Sequence, residues 1–371
     1  MGATEKDIFF IKRALNLAAH AEGKTSPNPM VGAVLVKGDK IIAEDFHKKA
    51  GEPHAEALAI EKAKKDAKGS TLYVTLEPCC HLDKRTPPCT KAIIEAGIKK
   101  VVVAMRDPNP KVSGSGISEL KRHGIEVVEG VCEEEAKRLN EAYIKFITTG
   151  MPFVILKAAM TLDGKIATPE GESKWITGEK ARKVVHRMRG SVDAILTAVG
   201  TVKKDNPELT VRIGKKVLKQ PKRIIIDPTL DVPINYKIFD IPPETIVVTK
   251  KEKKKDKEQK KKELFKKGIK IIEYEKQRLD LKWFMKLLGN MGIISVMIEG
   301  GASLNSYAFN DGIVDKVVFF IAPKIIGGKD SIPVVGGNFY KKIDDAYLIK
   351  DIRLRRIGED IMVIGYLNKK N

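Results

Sequence analysis

His54-Ala55-Glu56, with Pro78-Cys79 and Pro88-Cys89 downstream, constrains this chain more than any other feature. One imidazole and two thiolates are a ligand set for Zn²⁺ that leaves a fourth position for water. A metal held in that way pulls the pKa of its water towards neutrality. A glutamate two residues beyond the histidine is no ligand; it is placed to take a proton from the water and pass it to a leaving amine. The three ligands must meet in space, and the local patterns say how. Gly51-Glu52-Pro53 is a turn, and His54 to Ala67 reads as a helix with Ala55, Leu58, Ala59 and Ala63 on one face. Thr71 to Leu76 reads as a buried strand that delivers Glu77-Pro78-Cys79 at its end. Cys89 opens a second helix, Thr90 to Ala96, closed by Gly97. Two helix starts thus converge beside a strand end, and helix starts favour thiolate over thiol. Cys80 and His81 stay open between spare ligand and substrate contact.

Length allows two domains, since the chain has 371 residues, 43% of them hydrophobic. Its four cysteines make no disulfide framework; three of them fall within eleven positions, which points to metal binding in a reducing, cytoplasmic compartment. The N-terminus has no apolar signal segment, and no uncharged apolar run is long enough to span a bilayer. A formal net charge of +20 admits nucleic acid or anionic small molecules as partners. Much of that excess lies between Lys250 and Lys270, where Glu252, Asp256, Glu258 and Glu263 interrupt the lysines. No aromatics are spaced there for base stacking. A solvated helix between two strands, with Leu264 and Phe265 on its buried side, is the expected form. The Lys- and Glu-rich composition is that of heat-adapted proteins.

Helix and strand alternate through the first half. Lys6 to Ala21 is a helix, and Val31 to Val36 and Lys40 to Ala43 are strands joined at Gly38-Asp39. Val101 to Ala104 and Ile125 to Glu129 are further strands, flanking an Ile117 to His123 helix. Cys132 to Thr148 is expected as one helix leading out of an α/β layered unit. Thr149-Gly150-Met151-Pro152 breaks the pattern, which divides the chain into residues 1–149 and 150–371. The second half restarts with strands at Phe153 to Ala159, Ala194 to Thr197, Arg223 to Asp227, Thr245 to Thr249, Lys270 to Tyr274 and Ile294 to Glu299. Lys316 to Ile321 and Asp360 to Leu367 are expected to run antiparallel to the rest.

Strand, then Glu299-Gly300-Gly301-Ala302-Ser303, then helix is a phosphate-site arrangement, although a Gly-Gly there also serves packing alone. Ile326-Gly327-Gly328 is a turn or a second such site. Trp175-Ile176-Thr177 precedes a helix with Thr177 as its N-cap, and the polar residues before Trp175 place that ring at a pocket edge. Gly200 to Pro207 is expected as a loop. Arg189 and Arg212 are forks suited to phosphate oxygens, or surface ion-pair partners.

Ser26-Pro27-Asn28-Pro29-Met30-Val31-Gly32, His47, Pro53-His54-Ala55-Glu56, Leu76-Glu77-Pro78-Cys79 and Arg85-Thr86-Pro87-Pro88-Cys89 resemble the deaminase half of the bifunctional riboflavin biosynthesis deaminase–reductases. Leu162-Asp163-Gly164, Glu172 to Thr177, Asp205-Asn206-Pro207 and Glu299-Gly300-Gly301 resemble the reductase half, in order. The resemblance implies an N-terminal cytidine-deaminase-like three-layer α/β/α domain and a C-terminal dihydrofolate-reductase-like α/β domain. It implies zinc-dependent deamination of 2,5-diamino-6-ribosylamino-4(3H)-pyrimidinone 5′-phosphate. NADPH-dependent reduction of the ribosyl chain of 5-amino-6-(5-phosphoribosylamino)uracil to ribityl follows. By the same resemblance His54, Cys79 and Cys89 hold zinc, Glu56 moves the proton, and Asn28 and His47 touch substrate. Ala159, Trp175, Thr201, Asp205, Gly300, Gly301, Ala302, Ser303, Leu304 and Asn305 fall at NADPH. Ser173, Arg189, Leu209, Arg212 and Glu299 fall at the second substrate, and a homodimer through the reductase domain is implied. Two stretches, read as loops, depart from the family pattern: Leu82-Asp83-Lys84 between the cysteines, and Ala43 and Asp45 ahead of His47.

Two rival readings remain at this level. A nucleic-acid deaminase or RNA-binding module suits the zinc ligands and the charge but leaves the second half unused. A chain with one live activity is the other; the intact ligands and Glu56 oppose a dead deaminase, while the reductase motifs are ones that bind rather than react.

Overall fold

The computed structural model describes residues 2–80, 87–110, 112–213, 219–252, 254–337 and 342–368. They form two compact units, Met1–Met151 and Pro152–Asn371. Among the described residues no helix is long and apolar enough to cross a membrane.

In the first unit, α1 (Glu5–Ala19) begins at Thr4, whose hydroxyl accepts from Asp7 N while the Asp7 carboxylate accepts from Thr4 N. This reciprocal cap fixes the helix start. Strands β1 (Gly32–Lys37) and β2 (Lys40–Phe46) pair antiparallel around Gly38, whose φ of +62° suits the tight turn. Then come α2 (Ala55–Ala63), β3 (Thr71–Val74), α3 (Cys89–Glu95), β4 (Lys100–Val103), α4 (Ser115–Arg122), β5 (Glu126–Glu129), α5 (Glu133–Leu139) and α6 (Glu141–Thr149). The sheet order is β2-β1-β3-β4-β5, with β3, β4 and β5 parallel. Val34, Leu35, Leu72, Val101 and Val102 are fully buried, as expected for strands covered by helices on both faces. At Gly32 a side chain would collide with the Ala14 carbonyl, so glycine is what lets α1 lie so close to β1.

The second unit contains β6 (Phe153–Thr161), β7 (Lys165–Ala167), α7 (Glu179–Ser191), β8 (Ala194–Ala198), α8 (Val199–Asp205), β9 (Lys222–Ile226), α9 (Lys237–Asp240), β10 (Thr245–Lys250) and α10 (Lys255–Lys266). It continues with β11 (Lys270–Tyr274), α11 (Leu281–Asn290), β12 (Ser295–Ile298), α12 (Ala302–Asn310), β13 (Lys316–Ala322), β14 (Ile332–Pro333), β15 (Ile349–Ile357) and β16 (Asp360–Leu367). Nine strands form one sheet in the order β11-β10-β9-β8-β12-β6-β13-β16-β15, and β7 pairs with β14 apart from it. Every pairing from β11 through β13 is parallel, and β16 and β15 are added antiparallel. Parallel strands of this kind present ligand sites at their carboxyl ends. Ile195, Ile225, Val247, Met297 and Leu264 belong to one core cluster, and Ala181, Val185, Phe320 and Met362 to another.

Several expectations need correction. The single helix over 132–148 is two, meeting at Asn140, whose φ of −109° departs from the helical value and whose side chain bonds the Met30 backbone. The loop over 200–207 is largely α8, closed by Asn206 in a left-handed conformation. Gly178, not Thr177, is the N-cap of α7, and its N–H donates to Asp360. β13 runs parallel to β6. Leu264 is buried but Phe265 is 78% exposed, one step too far round α10. The strand expected over Lys40 to Ala43 runs on to Phe46, so Asp45 lies in β2 rather than a loop, and it is buried and pairs with Lys62.

Candidate functional site

His54 is the N-cap residue of α2, and Glu56 lies in that helix's first turn. Cys79 follows β3, and Cys89 is the first residue of α3. Thr90 ties the two cysteine segments together, since its N–H donates to the Cys79 carbonyl at 3.2 Å. His54 Nδ1 lies 3.1 Å from Cys89 Sγ and 3.6 Å from Cys79 Sγ. Their potential ligand atoms all fall within 4.8 Å of one another. Tetrahedral zinc with its usual bond lengths needs N–S edges of about 3.6 Å and an S–S edge of about 3.8 Å, so this donor set fits the ion. Both cysteines are buried and all four described cysteines are free thiols. Glu56 is 3% exposed, and burial raises its carboxyl pKa.

A cavity of about 440 Å³ opens over these groups. Asn28 and His47 line one side. His47 Nδ1 is 3.1 Å from the Pro53 carbonyl, which can only accept, so Nδ1 carries the proton. Its Nε2 then accepts from Asn28 Nδ2 at 3.2 Å. Asp107, Asn109, Tyr143 and Phe146 line the cavity as well. The Tyr143 hydroxyl donates to Asp107 Oδ1 at 2.9 Å, and Asn109 N donates to the same oxygen at 2.9 Å. Burial raises the Tyr143 pKa first, and the Asp107 charge adds to it. Asn140 fixes the Asn28 loop from behind: its Oδ1 accepts from Met30 N at 2.8 Å and its Nδ2 donates to Met30 O at 3.0 Å.

In the second unit Glu299 follows β12, and its N–H donates to the Leu196 carbonyl. Arg189, on α7, donates to both of its oxygens and also to Thr210 O at 3.0 Å. Lys157, on β6, stands 3.5 Å from Glu299 Oε2. Burial by itself would raise the Glu299 pKa; the charges of Arg189 and Lys157 outweigh it and hold the carboxyl at about 2. Burial lowers the Lys157 pKa, with Glu299 opposing.

Gly301 is the N-cap of α12, and a side chain there would meet the Thr201 hydroxyl at 3.8 Å. Thr201 and the start of the Gly300 to Asn305 segment therefore share one place. At Gly300 a side chain would crowd buried Leu304. Asn305 is buried; its Nδ2 donates to Val334 O, and its Oδ1 has no hydrogen-bond partner among the described residues. Ala302 O accepts from Gly336 N, and Ser303 is exposed. Trp175 is 65% exposed under the Arg182 guanidinium, 4.4 Å from the ring centroid, and Lys324 donates to its carbonyl. Ser173 is half-buried just ahead of it. Ala159 lies on β6 opposite Phe320, and Asp205 closes α8. Leu209 is buried with φ of +50°. Arg212 is exposed, pairs with Glu208, and lines a cleft of about 480 Å³ together with Lys180, Lys183, Arg187 and Arg356. The Ile326-Gly327-Gly328 segment is tied to the Leu162-Asp163-Gly164 turn, because Asp163 accepts from Ile326 N and Gly327 N.

Sequence reasoning missed Asp107, Asn109, Tyr143, Asn140 and Lys157. One signal was present: Pro108-Asn109-Pro110 repeats Pro27-Asn28-Pro29, and both asparagines face the cavity. Cys80 is half-buried and outside the ligand cluster. His81 and the Leu82-Asp83-Lys84 departure lie outside the described residues.

Residues 4–105 match the family model of the cytidine and deoxycytidylate deaminase zinc-binding region, and residues 152–363 match that of the RibD C-terminal domain. The chain is 46% identical over 360 residues to riboflavin biosynthesis protein RibD of Aquifex aeolicus (strain VF5), covering 97% of this chain and 98% of that protein. It is 38% identical over 371 residues to the Escherichia coli (strain K12) RibD, covering 96% and 98%. Among solved structures, Acinetobacter baumannii RibD in form 1 superposes with a TM-score of 0.88 at 38% identity, covering 98% of this chain and 99% of that one. A diaminohydroxyphosphoribosylaminopyrimidine deaminase/5-amino-6-(5-phosphoribosylamino)uracil reductase from Thermotoga maritima does so with a TM-score of 0.85 at 38% identity, with the same coverage.

Proposed function

The chain belongs to the RibD family of bifunctional riboflavin biosynthesis deaminase–reductases, and from that premise we propose what each unit does. Met1–Met151 deaminates 2,5-diamino-6-ribosylamino-4(3H)-pyrimidinone 5′-phosphate. Pro152–Asn371 reduces the ribosyl chain of the product, 5-amino-6-(5-phosphoribosylamino)uracil, to ribityl. The observation that carries the reading is the cluster of His54, Cys79 and Cys89, with His54, Cys79 and buried Glu56 lining one cavity.

His54, Cys79 and Cys89 hold zinc. Zinc, when bound, supplies Lewis acidity that lets water ionise near neutral pH. Glu56 accepts the water proton and returns it to the departing amine, and its burial keeps bulk water from competing. His47, fixed by the Pro53 carbonyl, orients Asn28 so that the asparagine amide meets the pyrimidine edge.

In the second unit NADPH, when bound, supplies the hydride. Gly300, Gly301 and the α12 residues Ala302, Ser303, Leu304 and Asn305 offer a helix start to a cofactor phosphate. Ala159, Trp175, Thr201 and Asp205 complete the cofactor site. Ser173, Arg189, Leu209, Arg212 and Glu299 hold the ribosyl substrate, with Arg212 suited to its phosphate. A hydride delivered to the anomeric carbon would form a C–H bond as the bond to the ring oxygen breaks, and the released oxygen would need a proton. Lys157, buried beside Glu299, is the cation we assign to supply it.

Two chains associate through the second unit, and the cytoplasm keeps the ligand thiols reduced. The testing experiment follows ammonia release and NADPH oxidation separately on the purified chain, with and without a zinc chelator. Both steps are expected, with chelation stopping ammonia release, and stopping NADPH oxidation unless deaminated intermediate is added. Ammonia without NADPH loss would refute the reductase assignment.

A further inference from the structure

Glu77 precedes Cys79 by two residues and is 3% exposed. Its carboxylate accepts four backbone N–H groups. Oε2 takes those of Asp107 at 3.2 Å and Gly114 at 2.9 Å, and Oε1 takes those of Gly116 at 3.0 Å and Ile117 at 3.2 Å. All four donors lie on the segment that leaves β4 and enters α4. The same segment carries Asp107 and Asn109, which line the cavity with His54, Glu56 and Cys79. The Glu77 main chain is fixed too, since its N–H donates to Met105 O at 3.0 Å.

A carboxylate suits this place for a chemical reason. Two oxygens with about four lone-pair sites receive four donors, whereas an amide has one oxygen and would set its NH₂ against two N–H groups. The positive end of α4 favours the negative charge as well. Glycine completes the fit: a side chain at Gly116 would strike the Pro78 carbonyl, and Gly114 has φ of +83°.

We infer that Glu77 is a positioning residue of the deaminase, holding the Asp107–Asn109 wall at a set distance from the Cys79 end of the ligand cluster. The inference rests on the deaminase reading given above. Displacement of such a wall by about 1 Å is enough to cost on the order of a hundredfold.

The test uses full-length Glu77→Gln, Asn109→Ala and the double variant, with zinc content, ammonia-release kinetics and NADPH oxidation on deaminated intermediate measured for each. Zinc content and NADPH oxidation are expected to match the parent. Glu77→Gln is expected to raise the deaminase KM by on the order of tenfold to a hundredfold, with kcat per zinc changing less. The double variant is expected to be little worse than Glu77→Gln alone, because Glu77 acts through the wall that bears Asn109. An unchanged KM with reduced kcat per zinc, or additive losses in the double variant, overturns the inference. If Glu77→Gln fails to fold, the same cycle with Glu77→Asp decides by the same outcomes, since that change keeps the charge and withdraws it by one methylene. Failure of the deaminase reading itself is told apart by the parent, which would then release no ammonia.

Discussion

Arg189 grips Glu299 by two bonds, Nε to Oε1 at 2.7 Å and an Nη to Oε2 at 3.1 Å. Lys157 shares the second oxygen. Burial alone would raise the Glu299 pKa, but the two cations hold it at about 2, below the ordinary 4.5. A carboxyl whose pKa falls on folding contributes stability that is complete above its unfolded pKa and is lost as pH falls through its folded one. The window is therefore from about 4.5 down to about 2. Thermal unfolding of the chain is expected to show a midpoint that drops across this window, with Glu299→Gln giving a shallower drop from a lower value at pH 7. Parallel pH profiles for the two proteins would remove the basis of this prediction.

Zinc removal separates the two activities. Cys89→Ser takes away one of two thiolates from a three-ligand cluster, so zinc content and ammonia release should both collapse. Glu56→Gln leaves the ligand set intact; it should retain zinc and lose about a hundredfold to ten-thousandfold in deamination rate. In both variants NADPH oxidation with supplied deaminated intermediate should persist, because none of these residues belongs to Pro152–Asn371. Metal analysis beside the two assays checks all three statements.

Asn140 is 3% exposed and satisfies both polar groups of Met30, two residues beyond Asn28. Asn140→Ala removes both hydrogen bonds to the half-buried Met30 backbone, at a cost of roughly 0.5–1.5 kcal/mol for each. The expected outcome is a lower unfolding temperature and a higher deaminase KM, since the Asn28 loop loses its anchor. Equal KM values for variant and parent would show that the loop is held by other contacts.

Legibility followed the range over which each residue acts. His54, Glu56, Cys79 and Cys89 could be read because few residue types hold zinc and because each sits at a helix start or strand end marked by Pro or Gly. The Lys270–Tyr274 and Asp360–Leu367 strands were read with their true bounds from their own patterns. Asn140, by contrast, looks like one more polar helix residue, and its purpose appears only when Met30, 110 positions away, comes to meet it. Lys157 was hidden for the same reason: a lysine inside a strand gains meaning from Glu299, which is 142 positions distant. Strand direction was missed at β13 because local alternation carries no information on the neighbour, here β6. β15 was missed because its residues are mostly exposed and show no alternation of buried and exposed positions.

That exposure leads to the last prediction. β15 closes one edge of the nine-stranded sheet, with Ile352 59% and Leu354 68% exposed. Residues two apart on a strand share a face, so the pair makes an apolar patch on an edge strand. The ladder to β16 is irregular between Lys350 and Arg353, and Asp351 has φ of +51°. A bulged edge rich in arginine resists the addition of another strand, which leaves side-chain burial as the way to cover the patch. The dimer proposed above would supply a second copy of the chain as the occupant. Light scattering on the parent should give twice the 41.1 kDa chain mass. Leu354→Glu places a charge in the patch without touching the ladder and should shift the mass to that of one chain, with ammonia release retained. A dimer that survives both Leu354→Glu and Ile352→Glu would place the interface elsewhere on the protein.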